Sequence, residues 1–386
     1  MKKLYVDGLG IVEAHFSGVG QYILGILRGM DHVIGQQKAA GEKAREVIVI
    51  IPQDAVERFL SFGFKHLQYK TFPASTGKML AMWHHNKLPP MDLLYGRGIY
   101  LFPRFVGMRL AFSKSILTIY DLSFELHKEF VEDNNARFLS GAVGRSVKKA
   151  SRIIAISESS RSEVMQFYKV PADKISVATP AVDPAFINRR PAKEIAAAKK
   201  KYGITGDYIL ALSNLEPRKN LEGLVEAYLS LPVAARKKYS LLIVGADGWK
   251  AERLFGKIEA SSKQAGRIIR PSEYVVDTDK AAVISGASLL VYPSHYEGFG
   301  MPPLEALACG VPVITSNNSS LPEVIGDAGM MIDSHDQAQL AATLANHLQH
   351  IDTITKQARI EGPQQAAKFS WETSAQVFLE TAKQLG

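Results

Sequence analysis

Nine short apolar runs recur along the chain, and polar stretches with helical spacing separate them. Apolar runs that do not alternate with polar residues are typical of strands buried on both faces of a parallel sheet. Because these runs alternate with helical segments, the pattern predicts an α/β fold. The runs occupy residues 4–9, 47–51, 116–120, 153–156, 175–178, 208–212, 241–244, 289–292 and 311–315.

A change of pattern near the middle of the chain predicts a domain boundary. Proline-containing turns at 184–191 are followed by a polar segment rich in alanine and lysine at 193–201. A chain of 386 residues is long enough for two domains that each bury a core. We therefore predict one domain over residues 1–185 and a second over 186–370. Apolar residues with helical spacing predict a final helix at 371–386.

Composition places the chain among folded globular proteins. Hydrophobic residues make up 46% of it and charged residues 22%, as in ordinary soluble domains. The sequence has no run close to the roughly 18 apolar residues that a membrane span requires. Asp7 and Glu13 interrupt the first segment, which therefore lacks the order of a secretory signal. We expect a cytoplasmic protein.

Positive charge is concentrated in the first half of the chain. Residues 1–185 hold 24 lysines and arginines against 17 aspartates and glutamates, a net charge of +7, and the remainder has a net charge of +1. Basic and apolar residues are interleaved at 59–65 and 104–114, a mixture that suits peripheral contact with the inner face of the cell membrane. A solvated face beside a core is the alternative. The charge comes without a nucleic-acid reader motif, so we expect no nucleic-acid partner.

Two carboxylates eight positions apart, Glu297 and Glu305, are the strongest candidates for chemistry. Glu297 lies in a glycine-rich loop after the run at 289–292, and Glu305 lies one turn into a helix that Pro302 and Pro303 can start. Glycines let backbone N–H groups approach a ligand, and carboxylates accept hydrogen bonds from sugar hydroxyls. The pattern indicates a site for a polyhydroxylated or phosphorylated ligand.

Four sequence elements, taken together and in order, carry a family resemblance. At these residues the chain resembles the family-4 glycosyltransferases of the GT-B fold, which are retaining enzymes that use sugar nucleotides, and among them the bacterial mannosyltransferase-like members. The elements are Gly18-Val19-Gly20-Gln21-Tyr22, Ser157-Glu158-Ser159-Ser160-Arg161, the segment 213–220 and the segment 297–324, which includes both glutamates.

The resemblance implies the arrangement of the domains. Two Rossmann-like α/β/α domains are expected to face each other across a cleft. The domain over 1–185 would bind the acceptor, and the domain over 186–370 would bind the nucleotide-sugar donor. The last helix, 371–386, would pack back on the first domain.

Arg218 and Lys219 are candidates for binding the donor diphosphate. They follow an apolar strand, at the sheet edge where α/β proteins bind ligands, and negative charge grows on the leaving phosphate as the sugar departs. The resemblance adds Gly20, which begins a helix whose N-terminus would face that phosphate. Asp277 and Asp279 have the spacing of a metal motif, but they precede a helical segment and are interpreted as a cap. We expect no metal and no cofactor.

The resemblance also implies how the donor sugar is held. Glu297 would contact the hexose hydroxyls and act in catalysis, together with the backbone amides of Phe299, Gly300 and Met301. Glu305 would accept hydrogen bonds from both ribose hydroxyls.

Two further candidate sites lie in segments that depart in part from the family pattern. The nucleotide base would lie against Tyr274, in the segment 270–274 that keeps little of the usual sequence. Tyr120 stands where the family often has a histidine, and the following Asp121 is the candidate catalytic carboxylate that orients or deprotonates the acceptor. A core or cap role is the alternative for Asp121.

Several functions remain open at this point. The first is transfer of mannose from GDP-mannose to a glycan or lipid-linked acceptor in the synthesis of a cell-surface polysaccharide or glycolipid. Others are transfer from a UDP-hexose, an epimerase or phosphorylase of the same fold, and an inactive sugar-nucleotide-binding protein. A nicotinamide enzyme is disfavoured, since Glu13 and Ile23 stand where the third glycine of a G-x-G-x-x-G turn would be. One cysteine, Cys309, excludes an intrachain disulfide.

Overall fold

The computed structural model describes residues 2–12, 18–85, 87–261 and 266–386, without the side chains of 133–135. Glu13 lies outside the described residues. The chain divides into two compact units. The first unit comprises Met1–Pro180 and Ser370–Gly386, and the second comprises Ala181–Phe369. The predicted boundary after residue 185 lies a few residues beyond this division.

A parallel sheet of seven strands forms the centre of the first unit, as far as its residues are described. The strands are β1 (Leu4–Asp7), β2 (Val47–Pro52), β3 (Gln68–Phe72), β4 (Ile99–Phe102), β5 (Lys114–Ile119), β6 (Arg152–Ala155) and β7 (Ile175–Val177). Their order across the sheet is β3-β2-β1-β4-β5-β6-β7. The chain therefore winds outward from β1 on one side and then returns to β4 on the other. Every residue of β1, β2 and β4 is buried.

Helices connect these strands and cover the sheet. They are α1 (Leu9–Val12), α2 (Gly18–Ala39), α3 (Val56–Ser61), α4 (Thr76–His84), α5 (Met91–Tyr95), α6 (Ser123–Leu126), α7 (Asp133–Lys149) and α8 (Glu158–Tyr168).

The second unit has a parallel sheet of six strands in its described part. The strands are β8 (Asp207–Leu212), β9 (Tyr239–Val244), β10 (Ile268–Ile269), β11 (Leu289–Tyr292), β12 (Val313–Ser316) and β13 (Met330–Ile332). Their order is β10-β9-β8-β11-β12-β13.

Its helices are α9 (Ala192–Lys201), α10 (Leu221–Ser230), α11 (Val233–Lys238), α12 (Glu252–Ser261), α13 (Asp277–Gly286), α14 (Met301–Ala308), α15 (Leu321–Ile325), α16 (Gln337–Gln349) and α17 (Ile351–Ala366). Apolar residues of β8, β9 and β11 pack with α10 and α16 in one core. The α/β class with parallel sheets, predicted from the sequence, is confirmed.

The last helix, α18 (Trp371–Gln384), belongs to the first unit and packs against α2. The ring of Trp371 lies 5.7 Å from that of Tyr22. It fits there because Gly25 has no side chain, since a Cβ at this position would come within 2.4 Å of the indole. The Ser374 hydroxyl donates to the carbonyl of Thr179 at 2.6 Å. None of the helices in the described part of the chain is long and apolar enough to cross a bilayer.

Candidate functional site

Two loops of the second unit meet where the winding of its sheet reverses. The loop after β8 carries Glu216 and the short 3-10 helix Pro217–Lys219, and the loop after the neighbouring strand β11 carries Glu297. In a doubly wound sheet the carboxyl ends of the strands at such a reversal form a ligand-binding crevice. The cations and the first glutamate of the sequence motifs are therefore brought together by strand order.

Four charged side chains form a connected network in this crevice. Lys219 donates from Nζ to Glu297 Oε1 at 2.6 Å and to the Tyr292 hydroxyl at 3.1 Å. Arg218 donates from Nη1 to Glu297 Oε2 at 3.2 Å, and from Nη2 and Nε to Glu216 Oε1 at 2.8 and 3.1 Å. Two cations and two carboxylates thus balance each other. Glu216 is a member of the network that the sequence motifs did not single out.

The network fixes the charge of Glu297 although the residue is buried. Burial disfavours its carboxylate form, but Lys219 and then Arg218 outweigh burial and lower its pKa from 4.5 to about 2. Burial, reinforced by Arg218, lowers the pKa of Lys219. Arg218 is the most exposed of the three, with 18% of its side chain accessible. The crevice therefore holds a fixed negative charge next to a cation that solvent can reach.

The loop that carries Glu297 is fastened to the start of α15. The Glu297 N–H donates to Ser319 Oγ at 3.0 Å, and the Ser320 hydroxyl donates to the carbonyls of Glu297 and Phe299 at 3.0 and 2.6 Å. Gly300 has a φ of +116° and precedes the first residue of α14, Met301. Because these contacts hold the loop, its backbone amides are presented in a set geometry before a ligand arrives.

Glu305 is the fifth of the eight residues of α14 and is buried, with 6% of its surface exposed. Burial raises its pKa from 4.5 to about 7, although Lys280 acts in the opposite direction. Burial acts to lower the pKa of Lys280, but electrostatic interaction with Glu305, the ion pair with Asp277 and a smaller interaction with Tyr274 raise it. Tyr274 itself is 65% exposed.

Asp277 and Asp279 do not cap a helix as predicted. Both lie within the first turn of α13, whose N-cap residue is Val276. Asp277 accepts from Lys280 Nζ at 2.7 Å, and Asp279 accepts from Lys201 Nζ and the Tyr202 hydroxyl, each at 2.7 Å. Throughout the described ranges no group of three or more His, Cys, Asp or Glu side chains has a metal-binding arrangement.

The predicted catalytic residue of the first unit, Asp121, makes local contacts. Its Oδ1 accepts from the N–H and the hydroxyl of Ser123 at 2.9 and 2.7 Å, at the start of α6. The side chain of Tyr120 is buried and donates from its hydroxyl to the carbonyl of Pro103 at 2.7 Å. Burial raises the Tyr120 pKa well above its usual value of 10, which disfavours the phenolate form that could act as a base. In the described part of the chain α2 begins at Gly18, so Gly20 lies in its first turn and is not its first residue.

A second group of polar residues, which the sequence analysis missed, lies at the corresponding reversal in the first unit. Asp7 ends β1 and is 3% exposed, and Arg104 follows the neighbouring strand β4. Asp7 Oδ2 is 3.8 Å from Arg104 Nε, and the guanidinium lies 4.3 Å above the ring of Trp83. Burial raises the Asp7 pKa, although Arg104 acts in the opposite direction. The signal in the sequence that could have revealed this group is a charged residue, Asp7, at the end of a buried strand.

Comparison with known proteins shows which sequences this chain is similar to. The sequence model of the family described as "Glycosyl transferases group 1" matches residues 194–359. O-antigen chain mannosyltransferase B of Escherichia coli is 36% identical over 259 residues, which cover 67% of this chain and 67% of that protein. Serotype-specific mannosyltransferase WbdA of Escherichia coli is 31% identical over 270 residues, 69% of this chain, but the match spans only 33% of WbdA.

A solved structure shows the same architecture. The crystal structure of Anabaena HepE in complex with UDP-glucose superposes with a TM-score of 0.69 at 17% identity, and the match covers 100% of both chains. The sequence matches and this structure together identify the chain as an enzyme with the GT-B fold. It belongs to the group 1 glycosyl transferases.

Proposed function

We propose that this enzyme is a retaining, family-4 mannosyltransferase that moves mannose from GDP-mannose to a glycan or lipid-linked acceptor in the synthesis of a cell-surface polysaccharide. The network of Arg218, Lys219, Glu216 and Glu297 is the observation that carries the proposal. The choice of mannose is supported by the similarity to O-antigen chain mannosyltransferase B.

The two cations suit a departing nucleoside diphosphate. As the bond between the anomeric carbon and the phosphate oxygen breaks, its electron pair goes to the diphosphate, whose negative charge grows. Arg218 and Lys219 would stabilise that charge more in the transition state than in the ground state, which is the requirement for catalysis. We therefore propose that they act without a divalent ion.

Glu297 is suited to bind the sugar rather than to attack it. Its carboxylate is fully ionised at neutral pH, because its pKa is about 2, and it is fixed by two cations. Such a group accepts hydrogen bonds from sugar hydroxyls and favours positive charge on the anomeric carbon. Glu305 and Tyr274, which both interact electrostatically with Lys280, would bind the ribose and the base.

Retention of configuration would then follow from attack on the face that the diphosphate leaves. The acceptor oxygen forms the new bond to the anomeric carbon, and its proton goes to an oxygen of the departing diphosphate. Asp121 would orient the acceptor hydroxyl, since its Oδ1 is already held by Ser123. Asp7 and Arg104, at the carboxyl edge of the first sheet, are further candidates for acceptor hydroxyls.

A donor screen tests the proposal. The melting temperature of the purified enzyme would be measured with GDP-mannose, UDP-glucose, UDP-galactose and UDP-N-acetylglucosamine, since a ligand that binds the folded state raises it. We expect GDP-mannose to give the largest rise and an α-mannosidic product by NMR. A rise in melting temperature with UDP-glucose alone would mean that the donor is UDP-glucose and not GDP-mannose. A β-linked product would contradict retention. Binding of every donor without any transfer would favour an inactive sugar-nucleotide-binding protein.

A further inference from the structure

The first unit has an exposed apolar and basic surface at the amino edge of its sheet. Leu93 and Leu94 on α5 are 61% and 48% exposed, and Phe112, just before β5, is 67% exposed. We call these three residues, with Arg97 and Arg109, the amino-edge patch. Single exposed leucines are ordinary on protein surfaces, but three large apolar side chains on adjoining segments indicate an interaction site.

Asp92 holds the two apolar segments of this patch together. Its Oδ1 accepts from the N–H of Ala111 at 2.8 Å, and its Oδ2 accepts from the N–H groups of Phe112 and Ser113 at 2.7 and 2.8 Å. These bonds lower the Asp92 pKa although burial opposes them. The Met91 N–H also donates to the carbonyl of Arg109 at 2.9 Å. Because the backbone is fixed in this way, Leu93, Leu94 and Phe112 are kept in the solvent.

Cations surround these apolar side chains. Between residues 87 and 114 the chain has five lysines and arginines and a single acidic residue, Asp92, which is buried. The Arg97 guanidinium lies 5.1 Å from the Phe112 ring centroid. Arg109 and Lys114 are exposed. Asp92, the acidic side chain that could neutralise these cations, is thus buried and not part of the exposed surface.

The residues that are exposed differ from those that the interleaved segments 59–65 and 104–114 suggested. Arg104 and Phe59, both within the segments that the sequence pattern singled out, are buried. Leu93 and Leu94 lie outside those segments but are exposed. Lys70 lies 5.9 Å from the ring centroid of Tyr95, so a further cation borders α5.

We propose that the amino-edge patch docks the enzyme on the surface of an anionic lipid bilayer. Insertion of three apolar side chains below the headgroups and attraction of the surrounding cations to anionic lipid act together, and this combination distinguishes membrane surfaces from neutral partners. The patch precedes β4 and β5, whereas Asp7 is the last residue of β1 and Asp121 follows β5, both at the carboxyl edge of the same sheet. Docking through the amino edge therefore leaves the opposite, carboxyl edge open to an acceptor. This proposal stands independently of the donor sugar.

Vesicle flotation of the full chain tests the proposal. The enzyme would be mixed with vesicles of phosphatidylcholine, alone or with about 30 mol% phosphatidylglycerol, at low and high salt. We expect flotation only with phosphatidylglycerol and a marked loss at high salt. The variant Leu93→Ser/Leu94→Ser/Phe112→Ser and the variant Arg97→Glu/Arg109→Glu should each lose roughly tenfold or more in binding.

Matched controls lie on the second unit. Ile360 is 64% exposed, and Lys237 is exposed as well; Ile360→Ser and Lys237→Glu should float like the parent enzyme. Equal melting temperatures and equal donor binding would show that the patch variants remain folded and that their donor site is intact. Flotation that is absent, insensitive to phosphatidylglycerol or unchanged in both patch variants would overturn the proposal. So would a dimer in lipid-free solution that both patch variants dissociate, since the patch would then bind a second copy.

Discussion

The Nζ atom of Lys219 lies 2.6 Å from Oε1 of Glu297, and both side chains are more than nine-tenths buried. The two residues come from the carboxyl ends of the neighbouring strands β8 and β11. Strand pairing therefore places a cation and a carboxylate, 78 positions apart in the sequence, in contact at the point where the proposed donor would lose its sugar.

Arg218→Ala should slow sugar transfer by an amount on the order of 2–4 kcal/mol in the activation barrier, as for the loss of one preorganised donor. The reason is that the lost cation faces charge that is largest in the transition state. Steady-state kinetics at saturating donor would measure it, with Arg253→Ala, whose side chain is 83% exposed, as the control. A turnover close to that of the parent enzyme would rule out the assignment of Arg218.

Lys219→Met should destabilise the second unit by about 3 kcal/mol, because it leaves buried carboxylates with one cation fewer. The double variant Lys219→Met/Glu297→Gln should recover part of that loss, since the uncompensated charge is removed as well. Denaturant unfolding of the parent, both single variants and the double variant measures the coupling. Strictly additive losses would mean that the ion pair makes no energetic contribution.

Replacing each glutamate by glutamine should separate their roles. Glu305→Gln should mainly raise KM for the donor, because ribose contacts differ little between ground and transition states, whereas Glu297→Gln should mainly lower kcat. Initial rates over a range of donor concentrations distinguish the two. The opposite pattern would mean that Glu297 contacts the ribose and Glu305 contacts the hexose.

Glu305 should make the folded enzyme less stable as the pH rises. Its pKa is about 7 in the folded state against 4.5 for an unperturbed glutamate, so the folded state binds the proton more tightly. The free energy of unfolding should then fall between about pH 5 and pH 7.5, by an amount on the order of 3 kcal/mol from this group alone. Denaturant unfolding at several pH values should show a decline that Glu305→Gln lacks. An identical pH profile in the variant would contradict the raised pKa.

Removal of divalent ions should leave transfer active, since the proposal gives the diphosphate charge to Arg218 and Lys219. Activity would be measured after dialysis against excess EDTA and again after adding Mg²⁺ or Mn²⁺. An absolute requirement for the ion that is lost in Asp277→Asn would instead place a metal at Asp277 and Asp279, where each carboxylate now accepts a hydrogen bond from a lysine.

Apolar runs in the sequence predicted nine of the described strands and missed four, which are β3, β4, β10 and β13. Each of the nine predicted runs overlaps a strand. The strand β3 was missed because four of its five residues are exposed, as expected at a sheet edge. The strand β4 is wholly buried, but it has only four residues and follows a glycine-containing turn. The strands β10 and β13 have only two and three residues.

The same limit applies to the candidate site. Motif spacing singled out Arg218, Lys219 and Glu297, whose contacts then follow from the strand order. It could not show that Glu216 holds the Arg218 guanidinium. Nor could it show that Asp7 and Arg104 approach each other, because β1 and β4 become neighbours only once the sheet is wound. Burial, which raises the Glu305 pKa, is likewise a property of the packed fold and not of local spacing.

The packing of α18 on α2 affects the order in which the protein can fold during synthesis. The second unit, Ala181–Phe369, is interposed between the two parts of the first. A ribosome therefore completes every strand of the first sheet long before it makes Trp371, whose ring fills the space beside Gly25. Domains generally fold as units in the order of their synthesis. In this chain, however, the apolar face of α2 is not fully buried until α18 has been synthesised. The unit that begins first is thus the last to be completed.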